Sequence, residues 1–152
     1  MRLIRAGEYA VRCVLYMCTY PKGNVVSKRE ISEAMEIPME FLGKIAKQLK
    51  RVGIFEIVQG TKGGFRLLRD PKKITLLEVV EAVIGEIFLN DCIMNPDSCR
   101  RSSHCKVHRV WEEAKDQLRE RLRSVTFMEL ASGESCLLPP KELSKTNREK
   151  GG

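Results

Sequence analysis

The chain has 152 residues, of which 43% are hydrophobic, a balance that excludes a disordered chain and predicts one domain, or one small domain plus an appendage. Its formal net charge of +7 is concentrated in residues 1–70, where 13 Lys and Arg stand against 7 Asp and Glu, and it predicts an anionic partner such as nucleic acid. No stretch is apolar enough to cross a bilayer, and Glu8 and Arg12 interrupt any signal-like run, so we expect a cytoplasmic protein.

Three helices are predicted in the first third of the chain. Residues 6–19 show amphipathic spacing that ends before Pro21. A second, short helix follows the sequence from Ser27 to Glu30, which predicts a capping box. Pro38 suits the first turn of the third helix.

The third helix, predicted over residues 38–52, separates into two faces. Its apolar stripe consists of Leu42, Ile45, Ala46, Leu49 and Val52. Its other face is mostly basic and consists of Glu40, Lys44, Lys47, Gln48 and Arg51. Two short helices joined by a tight turn, the second with a basic outer face, indicate a helix-turn-helix whose second helix enters the major groove. There we expect Gln48 to read adenine and Lys44 to read guanine.

A β-hairpin is predicted next, with strands at 55–59 and 65–68 around a glycine-rich basic tip. Behind a helix-turn-helix, such a hairpin indicates a DNA-contacting wing, although an ordinary surface hairpin has the same pattern. Ser27, Lys28 and Lys62 are expected to hold phosphates. The predicted DNA-binding residues are Ser27, Lys28, Pro38, Glu40, Lys44, Lys47, Gln48, Arg51, Gln59, Gly60, Thr61, Lys62 and Gly63.

The second half of the chain is predicted to be helical around one loop. Thr75 to Glu78 form a second capping box, which opens an almost wholly apolar helix that Gly85 stops. After a loop at 89–103, a long helix is predicted over residues 104–125. Its apolar stripe is narrow and consists of Val107, Trp111, Ala114, Leu118, Leu122 and Val125. Such a stripe favours a partner helix in a twofold homodimer, the alternative being packing against its own domain.

A third capping box, from Thr126 to Glu129, predicts a short last helix. These patterns predict a mainly α fold with a small β-hairpin, a winged helix-turn-helix with a long C-terminal dimerisation helix. We divide the chain into a DNA-binding domain at 1–85, a cysteine-rich loop at 86–103, the dimerisation and terminal helices at 104–132, and a flexible tail at 133–152.

Three cysteines and a histidine cluster within seventeen residues, in the order Cys92, Cys99, Cys105 and His108. Soft thiolates and an imidazole are ligands for an iron–sulfur cluster or a transition metal. A structural zinc site fits less well, because such sites usually pair cysteines two to four residues apart. A bare thiol sensor is the next alternative. In a reducing compartment, the six cysteines are not expected to form three disulfides.

The remaining cysteines carry weaker signals. Cys13 and Cys18 lie among apolar neighbours of the first helix and are expected to be core residues, while Cys136 in the tail is expected to be incidental. No Cys-x-x-Cys pair, phosphate-binding loop or acid–base constellation indicates an enzyme. A thiol-redox enzyme and a zinc-stabilised adaptor remain the alternatives from other functional classes.

Several of these segments together resemble the Rrf2 family of winged-helix transcription regulators, over about residues 1–132. The matching segments are Met1-Arg2-Leu3, Gly7-Glu8-Tyr9-Ala10-Val11, the basic third helix, Gln59-Gly60-Thr61-Lys62-Gly63-Gly64-Phe65, Ile74-Thr75-Leu76-Leu77-Glu78-Val79 and the three-cysteine segment. The resemblance implies a homodimeric, DNA-binding repressor whose cluster reports iron–sulfur, redox or nitric oxide status. It also implies that Cys92, Cys99 and Cys105 are cluster ligands.

The resemblance leaves the fourth ligand open between two residues. His108 matches the histidine ligand of IscR-like members, and Glu8 matches an acidic residue that NsrR-like members supply from the opposite subunit. We favour His108, because it lies one helical turn from Cys105. Six residues separate the first two cysteines where five commonly do in IscR-like members, so the type of the expected cluster, 2Fe–2S or 4Fe–4S, stays open. Gln59 replaces an arginine that many members carry, so Lys62 or Arg66 is expected to make the groove contact.

Overall fold

The computed structural model describes residues 4–132, which form seven α-helices and one three-stranded antiparallel sheet. The helices are α1 (Arg5–Met17), α2 (Lys28–Met35), α3 (Met39–Arg51), α4 (Leu76–Ile84), α5 (Asp91–Met94), α6 (Lys106–Arg123) and α7 (Phe127–Ala131). The strands are β1 (Val25–Val26), β2 (Phe55–Val58) and β3 (Gly64–Leu67). The predicted tail, with Cys136, lies outside the described residues. No helix within 4–132 has the length and apolarity that a membrane span requires.

Only half of the first predicted capping box forms. The Ser27 hydroxyl accepts a hydrogen bond from the Glu30 backbone N–H at 3.1 Å, which starts α2 as expected. The Glu30 carboxylate does not turn back to the cap. It accepts hydrogen bonds from the Tyr16 hydroxyl, at 3.1 Å, and from the Tyr20 hydroxyl, so α2 is tied to the end of α1.

The core face of α3 agrees with the predicted stripe at four of its five positions. Leu42, Ile45, Ala46 and Leu49 are buried. Val52 is 46% exposed, so the expectation that it belongs to the stripe is wrong. The helix ends at Arg51, and Gly53 turns the chain at a φ of +73°, which removes Val52 from the helical register.

The wing belongs to a sheet with the strand order β1-β3-β2. In β3, Phe65 and Leu67 point into the core, while Arg66 lies on the other face and pairs with Glu56 of β2 at 2.9 Å. The edge strand β1, which pairs Val26 with Phe65, was not predicted from the sequence. A two-residue strand is too short to show an alternating pattern.

Two wing glycines are required by close backbone approach. A Cβ on Gly63 would lie 2.3 Å from the Val58 carbonyl oxygen, and one on Gly64 would lie 2.1 Å from the Val26 carbonyl oxygen. No side chain fits at either distance, so glycine lets β3 pass directly beside its neighbours. The glycine-rich tip is therefore part of how the sheet packs.

The second and third capping boxes both form and lie next to each other. Thr75 and Glu78 exchange hydrogen bonds at 3.2 and 3.1 Å, and Thr126 and Glu129 do so at 3.3 and 2.7 Å. Thr75 and Thr126 pair across an antiparallel bridge. Phe127, at the start of α7, is fully buried, so the end of the described chain packs into the core that side chains between Tyr9 and Val79 form.

Residues 86–105 contain more regular structure than the predicted loop. They hold α5 and two short 3-10 turns, at Pro96–Ser98 and Ser102–His104. The long helix α6 starts at Lys106 instead of residue 104, because Cys105 occupies its N-cap.

Candidate functional site

The outer face of α3 is exposed and mostly basic. Glu40, Lys44, Lys47 and Arg51 project from it, as predicted, and Lys50 lies exposed beside them. Lys50 is not among the predicted residues, although its position in the last turn of α3 gives the same basic signal. Because only one of these five side chains is acidic, this face suits the phosphates that line a DNA groove.

The predicted base-reading residue Gln48 does not lie with this exposed group. It is half-buried, and its side-chain Nε2 donates a hydrogen bond to the Val83 carbonyl oxygen of α4 at 3.3 Å. A base contact would require Gln48 to release this bond. Pro38 is the N-cap residue of α3 and lies just outside its first turn.

The residues predicted to hold phosphates occupy different settings. The Ser27 hydroxyl already caps α2. The half-buried Lys28 side chain extends over α3, and its Nζ lies 3.3 Å from the position that a Cβ on Gly43 would take. At the wing tip, Lys62 is exposed. The exposed tip also includes Gln59, Gly60 and Thr61. Arg66 is held by Glu56, so Lys62 is the wing cation that is freer to approach DNA.

Residues 86–105, called the cysteine segment below, bring two of the predicted donors into contact. His108 on α6 places Nδ1 3.4 Å from the Cys92 sulfur on α5. The Cys105 sulfur accepts a hydrogen bond from the His108 backbone N–H at 3.4 Å and so caps α6. One residue of α6 therefore contacts two of the three thiols.

The third thiol faces a cavity of about 410 Å³ beside this contact. Cys99, Ser102 and His108 all line it. The Ser102 hydroxyl oxygen is buried and has no hydrogen-bond partner among the described residues. A buried polar atom without a partner is costly, so it favours a cavity that takes a polar or ionic group.

The donor chemistry of this site fits an iron–sulfur cluster. Cys99 and His108 line one cavity, Cys92 and Cys105 each contact His108, and sulfur donors with histidine are known cluster ligands. Within residues 4–132, no three His, Cys, Asp or Glu side chains converge closely enough for one metal ion.

The two candidate fourth ligands are in different places. His108 lies at the cysteine cavity, whereas Glu8 lines a separate apolar groove of about 700 Å³ between α1, α4 and α6 of its own chain. His104 is exposed in a 3-10 turn and does not line the cysteine cavity.

Cys13 and Cys18 differ from these three thiols in their surroundings. Burial raises the pKa of Cys13 to about 12 and the pKa of Cys18 to about 11. Because the thiolate is the form that binds metals, both residues are held in the unreactive, protonated form. They pack with the main core, as expected.

The apolar stripe of α6 divides into two parts. Leu118 and Leu122 pack against Leu77, Val80 and Ile87 of their own chain. The N-terminal half is bare: Val107 is 57% exposed, Val110 60% and Trp111 39%. The C-terminal half of the helix therefore packs against its own domain, while the N-terminal half leaves its apolar side chains exposed.

Comparisons with known proteins agree with this architecture. A helix-turn-helix transcriptional regulator of Aquifex aeolicus is 30% identical over 136 residues, which cover 88% of this chain and 93% of the relative. The transcriptional regulator IscR of Photorhabdus laumondii is 28% identical over 137 residues, which cover 90% of this chain and 83% of the relative. These relatives are transcriptional regulators and not enzymes, so the expectation of a non-enzymatic protein is confirmed.

Two solved structures show the same fold. IscR of T. potens matches with a TM-score of 0.67 and 21% identity, over 85% of each chain. The oxidised form of Staphylococcus aureus CymR matches with a TM-score of 0.69 and 19% identity, over 89% of this chain and 99% of that one. The predicted winged helix-turn-helix fold is thereby confirmed. The family described as Rrf2, iron-dependent transcriptional regulator, matches residues 3–133. The chain therefore belongs to the Rrf2 family of transcriptional regulators.

Proposed function

We propose that this regulator is a DNA-binding repressor controlled by an iron–sulfur cluster that reports iron–sulfur, redox or nitric oxide status. The observation that supports it most directly is the 3.4 Å contact between His108 Nδ1 and the Cys92 sulfur. It joins the cysteine segment to the first turn of α6, the helix with the bare apolar face. A change at the thiols thus acts on the helix that we expect to join two subunits.

The ligands would be Cys92, Cys99, Cys105 and His108. When bound, the cluster supplies an iron centre that reacts with oxidants and nitric oxide. The chain's own residues hold the ligands in place: the N–H of His108 donates to the Cys105 sulfur at 3.4 Å, and such N–H···S bonds tune a sulfur ligand. The unpartnered Ser102 hydroxyl is positioned to donate a second bond in the same cavity.

The dimer would form through α6. The bare half of this helix and the groove beside it both expose apolar surface, which is costly in water and favours burial in a twofold interface. Glu8 lies in that groove and would face the partner subunit. This placement keeps a carboxylate from the partner subunit as the alternative fourth ligand.

Each subunit would read DNA with α3 and its wing. The exposed face with Lys44 and Lys47 would enter the major groove, while Lys62 at the wing tip would contact phosphate or the minor groove. The two heads of a twofold dimer would read a site with two related halves.

A cluster-free thiol-redox regulator is the second candidate. The fold is shared with the oxidised form of Staphylococcus aureus CymR, and a thiol next to an imidazole suits reversible thiol chemistry as well as metal binding. A zinc-containing regulator and a zinc-stabilised adaptor are less supported, because the three cysteines are separated by six and five residues, more than the two to four that usually separate paired cysteines in structural zinc sites.

Metal and sulfide content separates these candidates. Protein purified without oxygen should be coloured and contain iron and acid-labile sulfide. Cys99→Ser should lose most of both, whereas Cys18→Ser, a matched thiol outside the cavity, should keep them. Wild-type protein that is colourless and free of sulfide would refute the cluster and favour a thiol-redox regulator or a zinc-containing protein. Zinc analysis and thiol titration would then distinguish these two.

A further inference from the structure

A forked ion pair joins α6 to α4. Arg119 donates from Nε to Glu81 Oε1 at 2.8 Å and from Nη2 to Glu81 Oε2 at 3.0 Å, and its Nη1 reaches Glu86 Oε1 at 3.1 Å. The side chains of Arg119 and Glu81 are only 24% and 19% exposed. A two-point fork that is partly screened from water fixes orientation as well as distance, unlike a single exposed pair.

The same glutamate also holds the start of the cysteine segment. Glu81 Oε1 accepts a hydrogen bond from the Ile87 backbone N–H at 3.0 Å. Ile87 is buried against Leu77 and Val80, just past Gly85, where α4 has ended. Glu81 on α4 therefore contacts both Arg119 of α6 and Ile87 at the start of the cysteine segment.

From α4, one hydrogen bond continues to the DNA-reading helix. The Val83 carbonyl, two residues after Glu81, accepts from the Gln48 side chain of α3 at 3.3 Å. Gln48 directly follows Lys47, one of the exposed basic residues. The described contacts thus run from the cysteine segment to α3 through two helices and three polar side chains.

We propose that Arg119 and Glu81 form a clamp that makes α4 move with α6, so that a change at the cysteine segment shifts α3 on DNA. This inference rests on the proposed function, because it needs a cysteine segment whose state changes. The clamp residues touch neither the cysteine cavity nor the outer face of α3, so they are positioning residues. Gln48 is the point where α4 acts on α3.

The test measures coupling as well as binding. DNA affinity is compared between cluster-loaded and cluster-free protein, and the ratio of the two dissociation constants is the readout. Arg119→Gln and Glu81→Gln should each reduce the difference in DNA affinity between cluster-loaded and cluster-free protein at least three-fold. Iron and sulfide content should not change. Arg123→Gln, which breaks an exposed pair with Glu120 on the same helix, should leave the ratio unchanged.

Charge reversal distinguishes coupling from general damage. Arg119→Glu should lose the coupling, and adding Glu81→Arg should restore at least half of it. If the glutamine variant does not fold, Arg119→Lys takes its place, because it keeps the charge without the forked hydrogen bonds. This variant should also bring the ratio closer to one. A wild-type ratio in Arg119→Gln, or no rescue by the reversed pair, would overturn the clamp.

Hydrogen exchange covers the case in which the proposed function itself fails. If wild-type protein binds DNA equally with and without its cluster, cluster control is refuted. The clamp is then judged by amide exchange across residues 76–87 of cluster-free protein. Faster exchange there in Arg119→Gln but not in Arg123→Gln supports the clamp, and equal exchange refutes it.

Discussion

His108 Nδ1 lies 3.4 Å from the Cys92 sulfur, and this contact closes the cysteine segment onto the start of the long helix. The pair comes from two different helices, α5 and α6, sixteen residues apart in sequence. The imidazole thus lies where it can act as a ligand beside the Cys92 sulfur, whereas Glu8 of the same chain lines another groove. These positions lead to the first prediction.

Replacing His108 with alanine should reduce iron retention and change the visible absorption of anaerobically purified protein. Removing an imidazole from the ligand set alters both the stability and the electronics of a cluster. His104→Ala, the matched exposed histidine, should behave as wild type. An altered spectrum in Glu8→Ala together with an unchanged one in His108→Ala would assign the fourth ligand to the carboxylate of the partner subunit.

A charge on the exposed apolar half of α6 should break the proposed dimer. Val110 is 60% exposed in the single chain and lies beside Trp111 of the apolar stripe, so Val110→Glu would bury a carboxylate without a partner in that interface. Sedimentation should show a dimer for wild type and mostly monomer for Val110→Glu. Arg109→Glu, the neighbouring position off the stripe, should remain dimeric. A Val110→Glu dimer of wild-type stability would place the interface elsewhere.

Lys44→Ala should weaken DNA binding and lower its salt dependence. Losing one phosphate-contacting cation from each head of the dimer removes about two released counterions, so the slope of log affinity against log salt should fall by about 2. Fluorescence anisotropy across a salt series measures both quantities. Lys72→Ala, an exposed lysine outside α3 and the wing, is the control. Unchanged affinity and slope in Lys44→Ala would remove this residue from the interface.

Alanine at Gly64 should destabilise the fold by about 1–3 kcal/mol, the usual cost of forcing an atom into filled space. Its Cβ would lie 2.1 Å from the Val26 carbonyl oxygen, which belongs to rigid strand backbone. Gly43→Ala is the contrasting substitution, because only the mobile end of Lys28 lies near, and it should stabilise α3 by up to about 1 kcal/mol. Urea unfolding measures both. Equal stability of the two variants would contradict the packing described for the wing.

Acid should weaken the ion pair between Arg69, which follows β3, and Glu78 of α4. Burial alone would raise the pKa of Glu78, but hydrogen bonds from Arg69 and Thr75 lower it below its ordinary 4.5. A carboxyl whose folded pKa is depressed contributes its stability above the unfolded pKa and loses it as pH falls through the folded value. Glu78→Gln should therefore reduce the free energy of unfolding at neutral pH, and this effect should shrink as the pH falls from 4.5 through the lowered pKa of Glu78. Urea unfolding at neutral pH and at a series of pH values below 4.5, with exposed Glu112→Gln as control, checks this.

Local patterns predicted the elements well where one residue's partners are near in sequence. The box from Thr75 to Glu78 and the buried stripe of α3 depend on spacings of three and four residues, which the sequence displays directly. The strand β1 escaped prediction because two residues have no period. The local pattern assigns Glu30 to its own cap, because the tyrosines that donate hydrogen bonds to it, Tyr20 and Tyr16, lie ten and fourteen residues away.

The candidate site was predictable in its residue types and less so in its geometry. The spacing of cysteines and His108 indicated the chemistry, but only the fold shows His108 touching Cys92. Gln48 has the right helical position for DNA, yet its amide donates to Val83, thirty-five residues away. Arg119 and Glu81 are thirty-eight residues apart, and nothing in their local sequence marks them as a pair.

The most direct test of cluster control compares one preparation before and after its iron is removed. Protein purified without oxygen is split, one half is treated anaerobically with a chelator, and both halves are titrated against the tightest fragment selected from random double-stranded DNA. The account predicts iron and sulfide in the untreated half and a clear difference in affinity between the halves. Equal affinity for that DNA, with the iron gone from one half and present in the other, would contradict it.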